Sequence, residues 1–299
     1  MVNKYRIISD GSCDFSPEQA KEMNVGLVPF YVSFDGETYK KEHIEQSVDD
    51  FYNAMLDDAS VFPKSSTPTV NDYYEAFEEA VKAGEGVICI CITQKFSASI
   101  QSATIARGMI LDDYPDAQIA LIDSTVNTVL QGLFVLQAVA LRDGGVDFKR
   151  AVETLELIKG TGRIFFTLAS MDYLRKGGRI GKLKGIAASL LRIQPIITLM
   201  RGEIHNSGIT RSRHQAKDKT IALLLNHVRE NGLDLNDYAL AVGYGSDYEE
   251  AVRFREALVA ALNGAITVED IPIRRIGATI AVHTGPRPLG VGIIKKPVI

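Results

Sequence analysis

The chain has 299 residues, of which 46% are hydrophobic and 23% are charged, and its formal net charge is −4. These values predict one large globular domain or two ordinary ones, and they exclude a disordered or collagen-like protein. No apolar run approaches the roughly 20 residues that a membrane-spanning helix needs. We therefore expect no stable insertion into a membrane.

The N-terminal residues and the cysteines predict a cytoplasmic location. Residues 1–5 lead into a predicted strand and lack the apolar core of a signal peptide. Cys13, Cys89 and Cys91 are an odd number of cysteines without CxxC spacing. This pattern is typical of reduced, packed side chains rather than of disulfides or a metal site.

Predicted strands and helices alternate in the first half of the chain. The strands are expected at 5–9, 27–34, 86–92 and 118–122, and the helices at 47–56, 70–82, from about 97, from about 126 and from 147. A short helix is also expected after Ser16, with Pro17 at its first position. This alternation predicts a doubly wound parallel sheet with a ligand site at the carboxyl ends of its strands. Polar clusters at 10–14, 93–99 and 123–127 follow three of these strands, and we expect them to line that site.

The pattern changes near residue 163. Strands are expected at 164–169, 193–200, 204–207, 238–244 and 276–283, with a tight turn at 201–203 and helices at 212–230 and 248–262. Hairpins followed by helices predict an α+β domain. The predicted organisation is therefore an N-terminal α/β domain, 1–160, and a C-terminal α+β domain, 161–299.

Signatures of enzymes and cofactor sites are missing. The glycine-rich segment 176–182 matches neither the dinucleotide-binding pattern GxGxxG nor a Walker A loop. The five histidines do not have metal-ligand spacing. The sequence therefore predicts no metal and no cofactor.

Two acidic residues leave an enzymatic alternative open. Asp10 follows the first strand, where an aspartyl-phosphate nucleophile could stand, although Ser12 replaces the second aspartate that this chemistry usually has. Asp14 lies four residues further on. The alternative is a stand-alone phosphoryl or acyl transferase that uses Asp10 and Asp14.

Two hydroxyl clusters precede predicted helices. In the segment 63–70, PKSSTPTV, Thr67 can cap a helix that has Pro68 at its first position; in the segment 93–103, Ser97 stands where the next helix is expected to start. Capping is one interpretation. Because a helix N-terminus also attracts anions, the other interpretation is that two such ends together hold a carboxylate.

Charge is distributed unevenly. The segment 173–219 contains eleven Lys and Arg but only two acidic residues, a local balance of +9, whereas the rest of the chain carries −13. This segment is either a solvated surface or a docking face for an acidic partner. A nucleic-acid role is not expected, because aromatic residues are not interleaved with the basic ones and the whole chain is acidic.

Several segments, spread over the whole chain, resemble the DegV family. They are 9–14 (SDGSCD), 65–69 (SSTPT), 92–103, 122–124 (IDS), 173–181 (YLRKGGRIG), 194–197 (QPII) and 283–286 (HTGP). The resemblance implies a two-domain α/β fold of the DegV type that encloses a fatty acid between its domains and catalyses nothing by itself.

The resemblance also implies how the carboxylate is held. The family positions match Ser65, with Ser66 as its neighbour, and Ser97, and they place Arg179 and His283 near the head group. The sequence departs from the family where Ser65 replaces Thr, Thr67 replaces Gln, Ala98 replaces Gly, Ser99 replaces Thr and Arg287-Pro288 replaces Gly-Ala. The first carboxylate-binding hydroxyl is retained despite the change from Thr to Ser.

The implied ligand is a long-chain fatty acid such as palmitate, stearate or oleate. Relatives are the fatty-acid-binding subunits of bacterial fatty acid kinase, which serves phospholipid metabolism. They offer the carboxyl group to a separate ATP-binding subunit. For such a partner we predict a docking face that includes Arg201, Arg211, Arg213 and Lys217.

Overall fold

The computed structural model describes residues 4–183 and 193–299. Its strands are β1 (Tyr5–Asp10), β2 (Val25–Val28), β3 (Tyr31–Ser33), β4 (Lys40–Lys41), β5 (Lys64–Ser66), β6 (Gly86–Cys91), β7 (Ile119–Asp123), β8 (Arg163–Thr167), β9 (Gln194–Met200), β10 (Glu203–Thr210), β11 (Tyr238–Tyr244), β12 (Ile273–Arg275) and β13 (Leu289–Lys295). Its α-helices are α1 (Pro17–Glu22), α2 (Val48–Asp57), α3 (Val70–Lys82), α4 (Ser99–Asp113), α5 (Thr128–Asp143), α6 (Phe148–Ile158), α7 (Asp172–Lys176), α8 (Arg213–Glu230), α9 (Tyr248–Ala261) and α10 (Ala278–Thr284).

The predicted parallel sheet is confirmed, with the strand order β2-β1-β6-β7. The prediction of a single strand at 27–34 is wrong. It is divided into β2, in this sheet, and β3, which lies between β4 and β5 in a separate three-stranded antiparallel sheet. Pro29 lies between β2 and β3. Because proline has no backbone N–H to donate to a neighbouring strand, its presence favours the end of β2 at this point.

Helix starts follow the capping residues, with two corrections. The Ser16 side chain accepts a hydrogen bond from the Gln19 backbone, as expected for α1. Helix α3 is capped by Thr69, whose side chain accepts from the Asp72 backbone, and not by Thr67. Helix α4 begins at Ser99, two residues after the expected start.

The second half of the chain contains a six-stranded mixed sheet with the strand order β10-β9-β8-β13-β11-β12. The expected turn between β9 and β10 is confirmed: Arg201 and Gly202 both have positive φ, as a tight hairpin turn requires. Apolar side chains from α8 and α9 cover one face of the sheet. The other face turns toward α5.

The strand expected at 276–283 is wrong, because this segment forms helix α10. Short apolar runs fit a strand or a buried helix equally well, so contacts elsewhere in the chain decide between them. Here the buried carboxylates of Asp14 and Glu42 accept hydrogen bonds from the backbone N–H groups of Gly277 and Ala278, which fixes the helix start. Strands β12 and β13 were not expected, although β13 pairs with both β8 and β11 in the sheet interior.

Apolar clusters join the two predicted domains. Val32, Phe51 and Tyr52 pack with Tyr173 and with residues of α10. A larger cluster contains residues of both β1 and β9. The division at 160/161 therefore stays a prediction.

Two expectations from the sequence can be compared with the described residues. Within 4–183 and 193–299, no helix is both long and apolar enough to cross a membrane. Cys13, Cys89 and Cys91 are all buried and free, as their spacing predicted.

Candidate functional site

A cavity lies between the carboxyl ends of β6 and β7 and the α5-facing side of the six-stranded sheet. The empty space inside it, including the open solvent at its mouth, is about 930 Å³. Its walls are mostly apolar, with side chains such as Phe30, Phe96, Val129, Phe166 and Leu199. A cavity of this kind suits an apolar ligand.

One end of the cavity is polar. Ser65, Ser66, Ser97, Arg179 and His283 all line it, so the structure brings together the five residues predicted for a carboxylate site. They come from four separate parts of the chain. Their roles in binding stay predictions.

Ser65 and His283 are hydrogen-bond partners. Ser65 lies on β5, opposite Val32 of β3, and His283 lies in the last turn of α10. The Ser65 Oγ is 3.1 Å from the His283 Nε2. The pairing links the small antiparallel sheet to α10 across the polar end of the cavity.

A serine next to a histidine raises the question of nucleophilic catalysis. Such a pair needs a third group that orients the histidine. Among the described residues, the buried Nδ1 of His283 has no hydrogen-bond partner. The arrangement therefore lacks the third member of a catalytic triad.

Ser97 lies in the loop between β6 and α4. Its Oγ accepts a hydrogen bond from the Ser99 backbone N–H at 3.2 Å, so the side chain also supports the start of the helix. Ser97 is half-buried and lines the cavity. Capping and ligand binding, the two interpretations of this cluster, are compatible at Ser97.

Arg179 is an exposed residue that connects the glycine-rich segment to the loop of Ser97. Its Nε donates to the Phe96 carbonyl oxygen at 3.0 Å, and its Nη1 donates to the Gly177 carbonyl oxygen at 2.7 Å. Because Arg179 also lines the cavity, the polar end carries a fixed positive charge near the protein surface.

His283 is electrically neutral at pH 7. Burial, and then the positive charge of Arg179, lower the pKa of its imidazole to about 3. A neutral ring can donate one hydrogen bond and accept another. Among the described residues that line the cavity, an anion at this end would therefore meet one formal positive charge, on Arg179, together with the hydroxyl groups of Ser65 and Ser97.

The polar cluster at 10–14 was expected to line the site, and this expectation is wrong. Asp10 is fully buried and accepts hydrogen bonds from the side chains of Ser12, Ser99 and Gln131 and from the Ile92 backbone N–H. Through these hydrogen bonds, Asp10 links the end of β6 to the start of α4. Burial raises the pKa of the Asp10 carboxyl.

Asp14 is also buried within the protein. It accepts hydrogen bonds from the Thr128 hydroxyl and from the Gly277 backbone N–H, and burial raises its pKa to about 8. Neither Asp10 nor Asp14 is among the residues that line the cavity. In the described parts of the chain, no group of three or more His, Cys, Asp or Glu is arranged to hold a metal.

The comparison with known proteins decides the family. A family model described as an uncharacterised protein of the DegV family matches residues 4–296. The chain belongs to the DegV family. A DegV domain-containing protein of Clostridium acetobutylicum is 29% identical, over 96% of each chain.

Solved structures of the DegV family include similar proteins with described ligands. A stearic-acid-binding protein from Eubacterium ventriosum is 40% identical and has a TM-score of 0.92, with 98% of each chain covered. A DegV protein of Bacillus subtilis, described as a fatty-acid-binding protein, is 25% identical with a TM-score of 0.81, covering 98% of this chain and 99% of the other. A fatty-acid-binding DegV protein of Thermus thermophilus, at 23% identity and a TM-score of 0.84, supports the fold.

The four docking candidates do not form one continuous free surface. Arg201 and Arg211 are exposed, but they lie beyond opposite ends of β10, whose eight residues span about 26 Å. The Arg213 guanidinium forms a double hydrogen bond with the Glu250 carboxylate, and the Lys217 Nζ lies 3.5 Å from the same group. Arg213 and Lys217 therefore share a single carboxylate, which compensates one of their two positive charges.

Sequence reasoning missed several residues of the cavity. Thr279 and Thr284 line it from α10, which was expected to be a strand. Gly243 and Gly290 line it from two paired strands, one of which was not expected. The polar cluster 123–127, which the sequence predicts to line the site, contributes Asn127 to the lining.

Proposed function

We propose that this protein binds one long-chain fatty acid, such as palmitate, stearate or oleate, in the cavity. The carboxylate lies between Ser65, Ser97, Arg179 and His283, and the acyl chain lies along the apolar walls. The observation that carries the proposal is a mostly apolar cavity that, among the described residues, has the hydroxyl groups of Ser65 and Ser97 and the guanidinium of Arg179 in its lining. The stearic-acid-binding relative at 40% identity supports it.

Apolar burial supplies most of the affinity. A 16-carbon acid has about 14 methylenes, and at about 0.8 kcal/mol each their burial contributes on the order of 11 kcal/mol. Lost freedom and ordering subtract several kcal/mol. The polar end fixes the direction of the ligand, because a buried carboxylate without hydrogen-bond partners is strongly unfavourable.

The test is to identify lipid in purified protein. Native mass spectrometry, followed by denaturation and analysis of the released lipid, should show a fatty acid in near-equal molar amount. Delipidated protein should regain it from added oleate. A cavity that stays empty of lipid in both experiments would contradict the proposal.

Removal of the hydroxyl groups should weaken binding. Ser97→Ala, and less strongly Ser65→Ala, should each lower the affinity for oleate by about 1–3 kcal/mol, the usual effect of losing a hydrogen bond to a charged group. Titration calorimetry measures this change. Ser102→Ala, on α4 but outside the cavity lining, is the control; a double variant with wild-type affinity would show that the head group lies elsewhere.

We further propose that the bound carboxylate is presented to the catalytic subunit of a fatty acid kinase. The polar end lies beside the exposed Arg179, where a partner could reach it. The chain itself would then form no acyl phosphate. Incubation with ATP and oleate tests this, since acyl phosphate made without a partner would favour the transferase alternative of Asp10 and Asp14.

Arg201 and Arg211 are exposed, and they are the two docking candidates that do not form an ion pair with Glu250. Arg201→Glu combined with Arg211→Glu should leave oleate binding intact but slow association with a kinase subunit and reduce its salt dependence. Stopped-flow or surface-binding kinetics at several salt concentrations measure this. Arg229→Glu, at the exposed end of α8, is the matched control, and identical rates in all variants would count against docking through these residues.

A further inference from the structure

The glycine-rich segment 176–182 contains three glycines, and the backbone explains two of them. Gly178 and Gly181 have φ values of +69° and +48°, in the left-handed region that favours glycine. Gly177 is different: it directly follows α7 and has a φ of −74°, which any residue can adopt. The lack of a side chain at residue 177 therefore needs another reason.

The imidazole of His283 fills the space beside Gly177. A Cβ on Gly177 would be 2.3 Å from the His283 Nδ1 and 3.1 Å from its Cε1, which is closer than non-bonded atoms approach. The ring could move aside only by giving up the hydrogen bond between its Nε2 and the Ser65 Oγ, 3.1 Å away. Gly177 thus lets His283 reach Ser65.

A second glycine holds the same two helices together. Gly285, two residues after His283, lies against Tyr173 of α7, and a Cβ on it would be 2.6 Å from the Tyr173 Cδ2. Tyr173 also packs against apolar residues of α10. Helix α10 therefore cannot shift away from α7 to make room for a side chain at residue 177.

The two ring nitrogens of His283 have unlike surroundings. Within 4–183 and 193–299, the buried Nδ1 has no hydrogen-bond partner, and a hydrogen on the Gly177 Cα points toward it. An N–H at Nδ1 would be a buried donor without an acceptor, which is unfavourable. A lone pair at Nδ1 instead faces a C–H group, which is a weakly favourable contact.

We propose that Gly177 is a positioning residue that holds His283 with its proton on Nε2, so that Nε2–H donates to Ser65 and the Ser65 hydroxyl donates to the carboxylate of the ligand. The inference rests on the proposed function and adds the direction of its hydrogen bonds. This direction matters because Ser65 has a single hydroxyl hydrogen. If that hydrogen were donated to Nε2, only oxygen lone pairs would face the carboxylate.

A double-mutant cycle tests the role of Gly177. Gly177→Ala should weaken oleate binding about tenfold, the size of one lost hydrogen bond to a charged group. In a His283→Ala background the space beside residue 177 is vacant, so the same substitution should change the affinity by less than about twofold. Titration calorimetry measures both effects, and thermal melting checks that each variant is folded.

The cycle separates His283 from the other close neighbour of Gly177. The Tyr173 carbonyl oxygen would be 2.9 Å from the same Cβ, and it is present in both backgrounds. An equal loss in both backgrounds, or no loss in either, would overturn the inference. Gly108→Ala is the control, because Gly108 is a helical glycine of α4 with no atom within 4 Å of its Cβ position, and it should leave oleate affinity unchanged.

Nuclear magnetic resonance of protein with 15N-labelled histidine tests the position of the proton without depending on a variant at residue 177. His283→Ala identifies the His283 signal among the five histidines. In wild type the proton should be on Nε2 at pH 7 and at pH 5, because burial and the charge of Arg179 lower the pKa of His283 to about 3. A proton on Nδ1 would overturn the inference alone, whereas a proton on Nε2 in a protein that binds no fatty acid would overturn the proposed function.

Discussion

Replacement of Glu42 by alanine should lower the free energy of unfolding by about 3–5 kcal/mol and abolish fatty-acid binding. The Glu42 carboxylate is buried and accepts hydrogen bonds from the backbone N–H groups of Ala278 and Thr279 and from the Thr279 hydroxyl. Its removal leaves three buried donors without partners, at about 1–3 kcal/mol each, and local relaxation offsets part of the total. Because α10 carries His283 and forms one wall of the cavity, the ligand site should be lost with the helix start.

Urea unfolding and oleate titration together test this prediction. Glu42→Gln keeps an acceptor oxygen and a similar shape, so it should cost clearly less than alanine. Glu37→Ala, an exposed glutamate in the same segment, is the control and should change stability by less than about 0.5 kcal/mol. If Glu42→Ala were as stable as this control, the carboxylate would not be what fixes the start of α10.

The sequence predicts those elements whose signals are local. Helix α3 has the bounds that were expected, because its apolar residues recur with helical spacing. Strand β11 also has the bounds that were expected, since it is a short apolar run with turns on both sides. For both elements the information lies within about fifteen residues of chain.

The errors occur where distant residues decide the structure. The segment 276–283 is an apolar run whose helical form depends on carboxylates from Asp14 and Glu42, more than 230 residues away along the chain. The split of 27–34 into two strands follows from pairing partners in two different sheets. Neither cause can be seen in the local pattern.

The candidate site shows the same division. The hydroxyl clusters alone left capping and carboxylate binding open, and the resemblance to the DegV family selected Ser65, Ser97, Arg179 and His283. The structure then places all four around one cavity. Gly243 had no signal in the sequence, because its position opposite Gly290 depends on the register between β11 and β13.

His283 should make the stability of the protein depend on pH between 7 and 5. Burial, together with the charge of Arg179, lowers the pKa of His283 to about 3 in the folded protein, whereas the ordinary value is 6.5. Below pH 6.5 the unfolded chain takes up a proton that the folded protein does not, so the free energy of unfolding falls as the pH falls toward 3. From pH 7 to pH 5 this loss amounts to about 2 kcal/mol.

The measurement compares wild type with His283→Gln, which cannot be protonated, by urea unfolding at several pH values. Burial raises the pKa of Asp14 to about 8 and also raises that of Glu42, so these groups act in the opposite direction, becoming less favourable to folding as the pH rises. Their contribution is shared by both proteins and cancels in the difference. The advantage of wild type over His283→Gln should therefore shrink by about 2 kcal/mol from pH 7 to pH 5; parallel curves would mean that the folded protein binds the proton at His283 as readily as the unfolded chain does.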